Sequence, residues 1–151
     1  MSNVERWQKF KPLPGDIDLR LAQLQPLLKQ NQVQLAYLFG SLARDESGHD
    51  VDLAILSKQE IELDLYLTLT EALGTERIDL VDLKTASPAV RFEIIRTGRL
   101  IFADNEHSQL DFELETLRVY KDTAWMRRRQ EMTLRERLLE WSLNELSSSS
   151  G

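Results

Sequence analysis

The chain contains no cysteine, which excludes disulfides and thiolate metal sites. No apolar run approaches the roughly 18 residues needed to span a bilayer. The segment from Met1 to Trp7 lacks the apolar core of a signal peptide. A cytoplasmic protein with no membrane partner is therefore expected. A basic excess is missing too: 19 Lys and Arg stand against 25 Asp and Glu, a formal charge of −6. Broad nucleic-acid binding needs a basic footprint, so nucleic acid is not expected as a direct partner. A small phosphate-bearing ligand stays compatible with this balance, because a metal ion can supply positive charge locally.

The 151 residues, 42% hydrophobic and 29% charged, suffice for one domain with a core and a charged surface. There is no internal repeat. Residues 1–15 read as an irregular arm broken by Pro12, Pro14 and Gly15, with Trp7 and Phe10 available to pin it. Asp16 is expected to cap a helix carrying Ile17, Leu21, Leu24 and Leu28 on one face, which Pro26 kinks or splits. Residues 33–39 read as a strand, 41–45 as a short helix and 46–49 as a turn. Strand character returns over 50–56 and 77–83, with a leucine-rich helix over 60–73 between them, closed by Gly74. Ser87-Pro88 opens a further helix that Gly98 ends, and Leu100-Ile101-Phe102 is a short strand. Residues 108–146 are helical and charged, and the Ser147–Gly151 tail reads as disordered. Strands alternating with helices indicate an α/β or α+β layer structure. The organisation expected is an arm over 1–15, a core over 16–105, a helical segment over 106–146 and a tail over 147–151.

The chemistry concentrates in a short stretch. Asp50 and Asp52 alternate with Val51 and Leu53 on a strand, so their side chains share one face with Cα atoms roughly 6–7 Å apart. Two acids beside a core are costly unless a cation compensates them, and oxygen-only ligands suit Mg²⁺, which binds carboxylates together with substrate phosphates. Gly40-Ser41 ends the preceding apolar strand. Glycine there lets backbone approach a ligand, and a helix starting near Ser41 would turn amide groups toward a phosphate. Arg44, one turn on, is placed to pair with a phosphate oxygen. Taken singly, Gly-Ser is usually a loop and Asp-x-Asp usually a solvated strand edge. Their order within about twenty residues makes the combination specific.

Tyr37-Leu38-Phe39-Gly40-Ser41-Leu42-Ala43-Arg44 followed by Asp50-Val51-Asp52-Leu53-Ala54 resembles the signature of polymerase β-type nucleotidyltransferases. It is most similar to the minimal nucleotidyltransferases, which include the MntA-type antitoxins that accompany HEPN toxins. The resemblance extends through Ile78–Leu83 and Arg96–Phe102. The loop from Leu42 to His49 is shorter than is usual in that family, and Asp45 stands where a glycine often follows the arginine. The resemblance implies a small mixed sheet flanked by helices, with a long C-terminal helical segment. It also implies a third carboxylate on a neighbouring strand. Asp79 and Asp82 face opposite sides by alternation, and Asp79 matches the family position, with the role of binding metal and accepting a proton. Asp50, Asp52 and Asp79 are thus the expected metal and catalytic residues, and Gly40, Ser41 and Arg44 the expected nucleotide-binding ones.

By resemblance, the function is Mg²⁺-dependent transfer of AMP from ATP to a hydroxyl, a tyrosine of a cognate HEPN toxin, so that the chain acts as its antitoxin. One alternative is a non-catalytic antitoxin that neutralises a toxin by covering it. Another is transfer to a small molecule such as an aminoglycoside. His49 and His107 read as solvated or helix-flanking, Arg127-Arg128-Arg129 as an exposed helix face, and Tyr37 as strand packing. Phe112, Leu117, Tyr120, Trp125 and Trp141 read as core or interface residues.

Overall fold

The computed structural model describes residues 13–43 and 50–149. The arm up to Pro12, the loop from Arg44 to His49 (including both of those residues) and the last two residues lie outside the described residues.

The first two helices come from one apolar stripe. Ile17, Leu21, Leu24 and Leu28 are all buried, but the helix divides into α1 (Ile17–Ala22) and α2 (Gln25–Gln30), with Pro26 in the first turn of α2. Proline has no N–H to give an interior helix turn, so the division falls just before it. Asp16 does not cap α1 with its side chain. Its carboxylate instead accepts the Arg20 Nε–H at 2.9 Å, and the pull of that ion pair replaces the expected cap.

Strand β1 (Val33–Phe39) runs into the four-residue helix α3 (Gly40–Ala43). It is followed by β2 (Val51–Ser57), α4 (Leu63–Leu73), β3 (Ile78–Asp82), α5 (Pro88–Thr97) and β4 (Arg99–Ala103). Gly74 ends α4 in the left-handed region at φ +70°, donating its N–H to the Thr70 carbonyl. The Ser87 hydroxyl accepts the Val90 N–H at 3.2 Å and starts α5, with Pro88 at its first position.

The sheet order is β3-β2-β1-β4. The β1 strand is antiparallel to β2 and β4, while β2 and β3 are parallel, which makes the sheet mixed. One face carries Leu38, Leu53 and Ile55 against leucines of α1, α2 and α4. The other carries Leu35, Tyr37 and Ala54 against Ile94 of α5 and Phe112 of the next helix, α6 (Glu106–Asp122). Asn105 accepts the Ser108 N–H at 2.9 Å and so caps α6.

The chain divides into two compact units after Thr116. The second contains the end of α6 and all of α7 (Ala124–Ser149). The continuous helix expected here is interrupted at Thr123, whose hydroxyl donates to the Val119 carbonyl at 2.9 Å. Arg127 closes the break: its Nη2 donates to the Tyr120 carbonyl at 2.7 Å, its Nη1 to the Thr123 hydroxyl, and its guanidinium lies 3.5 Å from the Tyr120 ring centre. A cation on the last carbonyls of a helix is favourable, and this contact takes Arg127 out of the exposed charge run. At its far end α7 continues beyond Leu146, with the Ser147 and Ser148 hydroxyls donating to carbonyls one turn back. Among the described residues, no helix is long and apolar enough to cross a membrane.

Candidate active site

The site is built at one end of β1, β2 and β3. Register places Phe39 of β1 opposite Asp52 of β2, and Asp52 opposite Asp79 of β3. Asp50 immediately precedes β2. Alternation turns Val51, Leu53 and Ile55 into the core, where they are fully buried or nearly so, and turns Asp52 to the opposite face. Asp50, Asp52 and Asp79 each offer an oxygen within 4.8 Å of the other two. Asp82 does not join them; its Oδ1 accepts the Lys84 N–H at 2.9 Å and shapes the turn after β3.

Three ionised carboxylates at this spacing repel one another by about 3–4 kcal/mol per pair at the effective dielectric of a protein surface. The site answers by holding protons. Burial, then the charges of Asp50 and Asp79, push the Asp52 carboxyl up to about 7. Burial, then a hydrogen bond and the charge of Asp79, push Asp50 up as well. Two neighbours oppose this shift, Arg77 through its charge and Asp52 through a hydrogen bond. The Arg77 guanidinium beside Asp50 pulls its carboxyl down. Arg77 is only 7% exposed, its carbonyl accepts the Val51 N–H at 2.8 Å, and its buried Nε has no hydrogen-bond partner. Sequence reasoning passed over Arg77, because a basic residue at the start of a strand looks like any surface cation. Its burial follows from pairing with β2.

Gly40 forms the adjoining wall. It has φ +73°, which favours glycine, and a side-chain carbon built on it would run into the Asp52 carboxylate. Ser41 is the second residue of α3. Arg44 and His49 lie outside the described residues. Tyr37 is buried, and its hydroxyl donates to Glu113 Oε1 at 2.8 Å, which ties β1 to α6 as packing. His107 sits in the first turn of α6.

An oxygen-only donor set, drawn together against its own repulsion, fits a hard cation. The triad is therefore a site at which a metal ion can bind.

Comparison with known proteins agrees with this geometry. Residues 22–107 match the family described as Polymerase beta, Nucleotidyltransferase. The chain is 29% identical over 103 residues to the protein adenylyltransferase MntA of Shewanella oneidensis, covering 63% of this chain and 73% of that protein. Among solved structures it is similar to a chain of the tri-AMPylated Shewanella oneidensis HEPN toxin in complex with MNT antitoxin. The TM-score there is 0.59 at 26% identity, over 74% of this chain and 92% of the other. It is also similar to a chain of a toxin–antitoxin crystal structure with AMP-PNP, with TM-score 0.57 and 26% identity over 75% and 91% of the two chains. With more than half its length inside the family match and the three carboxylates gathered beside Gly40, the chain belongs to the polymerase beta nucleotidyltransferase family.

Proposed function

We propose that the chain is a protein adenylyltransferase that moves AMP from ATP to a tyrosine hydroxyl of a HEPN-type toxin and thereby acts as its antitoxin. The observation that carries this reading is the convergence of Asp50, Asp52 and Asp79 within 4.8 Å beside Gly40. Similarity to MntA and to a chain of the complex that contains a tri-AMPylated toxin supports the acceptor.

Asp50, Asp52 and Asp79 would hold Mg²⁺, which neutralises phosphate charge and activates the attacking oxygen when bound. Gly40 and Ser41 bring backbone to the triphosphate, and Arg44 pairs with a phosphate oxygen. The acceptor oxygen forms a bond to the α-phosphorus while the bond from that phosphorus to the β-phosphate oxygen breaks. The hydroxyl proton passes to Asp79, and pyrophosphate leaves. The protein's contribution is position and charge. Residues 16–105 form the catalytic core in this reading, and 106–146 the helical segment.

The test uses ATP labelled in the α- or the γ-phosphate, with Mg²⁺, the chain and a HEPN-type toxin. Label from the α-phosphate alone on a toxin tyrosine is the expected result. Label from the γ-phosphate, or none, overturns the reading.

A further inference from the structure

Helix α7 spans 26 residues, roughly 39 Å, and is exposed from Arg128 to Ser148. It carries nine of the exposed large apolar side chains, including Trp125 at 61%, Leu139 at 64% and Trp141 at 62%. Trp125, Met132, Leu139 and Leu146 recur every seven residues. Leu134, Leu138 and Trp141 form a second stripe at spacings of four and three. At 3.6 residues per turn these stripes lie on roughly opposite sides of the helix. A helix of ordinary surface type shows one apolar stripe and one polar face. Two stripes left open to water call for a partner that contacts both sides.

Charge narrows the partner further. Residues 124–137 hold five arginines and two glutamates, whereas residues 138–149 hold two glutamates and no basic residue. The preceding 123 residues hold 14 basic and 21 acidic residues, so α7 carries its positive charge on an otherwise acidic chain. Arg127 is occupied at Tyr120 and Thr123, while Arg128, Arg129, Arg135 and Arg137 are exposed.

We propose that α7 is the docking element for the acceptor protein, which receives it in an apolar cleft between two helices, acidic where it meets Arg128–Arg137. This rests on the reading that the acceptor is a protein. Two helices at the usual 8–10 Å spacing cover both stripes, and nine half-exposed large side chains offer on the order of 800 Å², one side of a standard interface. A second copy of the chain fits less well. Antiparallel pairing along the Trp125–Leu146 stripe brings the two Arg135 side chains together and the two Glu136 side chains together, and it leaves Leu134, Leu138 and Trp141 bare.

The test uses the full chain with a HEPN-type toxin and compares wild type, Leu134→Glu/Leu138→Glu and Leu138→Ala/Trp141→Ala. Alanine favours helix, so the second variant keeps α7 folded, which far-ultraviolet circular dichroism checks. Both variants should raise KM for the toxin at least about 30-fold, the loss typical of an interface hot spot, with kcat at saturating toxin unchanged. Binding to the Asp50→Asn protein should weaken equally under the same substitutions. Toxin that binds wild type and is lost from both variants, yet never gains AMP, leaves the docking element standing and removes adenylyl transfer. Unchanged KM and binding in both variants, no complex with wild type, or self-association of the chain through α7 overturns the docking proposal.

Discussion

Gly40 and Asp52 are in contact across the β1–β2 pair. A side-chain carbon on Gly40 would lie 3.1 Å from the Asp52 carboxyl carbon and closer still to one of its oxygens. Gly40 also takes φ +73°. The position therefore excludes a side chain twice, once through the backbone and once through the room that the carboxylate occupies.

Gly40→Ala should accordingly damage the site more than the fold. The left-handed backbone costs about 1–3 kcal/mol in a non-glycine residue, which a domain of this size survives. The displaced Asp52 carboxylate should cost transfer at least about 100-fold, the loss seen when reacting groups are misplaced by about 1 Å. Melting curves and initial transfer rates measure both. A variant with wild-type activity would show that Asp52 has no fixed place in the chemistry.

The carboxylate triad makes metal-free stability depend on pH. Asp52 titrates at about 7 in the folded chain and Asp50 is shifted the same way, against about 4 in an unfolded chain. A carboxyl with a raised folded pKa binds its proton more tightly when folded. Its stabilising contribution is present at low pH and is lost as pH rises from about 4 through about 7. Without metal, the chain should be more stable at about pH 5.5 than at about pH 8 by on the order of 1–2 kcal/mol, allowing for solvent screening. Mg²⁺ should remove the slope by replacing the protons. Asp52→Asn should flatten it and abolish transfer. Thermal melts that are level in pH for the metal-free wild type would contradict the electrostatic account of the site.

Arg77 is the internal counter-charge, and its removal should steepen the same slope. With the guanidinium gone, the Asp50 carboxyl rises further, so Arg77→Met should lose more stability than wild type between about pH 5.5 and about pH 8. The comparison needs only paired melts in the absence of metal. Parallel profiles would mean that Arg77 supports the fold without acting on the triad.

Tyr37 precedes the glycine-serine pair by three residues, yet its hydroxyl is spent on Glu113. Tyr37→Phe should lose about 1 kcal/mol, the net value of one hydrogen bond, while Glu113 still accepts from Gln109 Nε2 at 3.2 Å. Transfer kinetics should match wild type. A kcat lowered well beyond that stability loss would place the phenol in the reaction.

Features that depend on neighbours in the chain were legible in the sequence. The bounds of β1 match the expected residues 33–39, because a run of apolar residues ends at a glycine. Ser87-Pro88 announces α5 through local hydrogen bonding alone, and Asp50 and Asp52 declare a shared face through the two-residue period. Features set by distant partners were less legible. Arg77 becomes buried only when β3 pairs with β2. Asp16 fails as a cap because Arg20 competes for its carboxylate. The break at Thr123 is held by Arg127, a residue that reads as part of a solvated charge run until its contacts with Tyr120 are seen. Asp79 stands between these cases: strand alternation separates it from Asp82, but the β2–β3 register brings it opposite Asp52.

The central claim, that Asp50, Asp52 and Asp79 form a catalytic site that modifies a protein partner, is tested most directly by intact mass spectrometry of a HEPN-type toxin. The toxin is incubated with ATP, Mg²⁺ and a small fraction of an equivalent of the chain. Complete conversion of the toxin to a species heavier by one or more AMP groups, lost with Asp50→Asn or Asp79→Asn, is the predicted result. A toxin neutralised only by a full equivalent of the chain, with its mass unchanged, would contradict it.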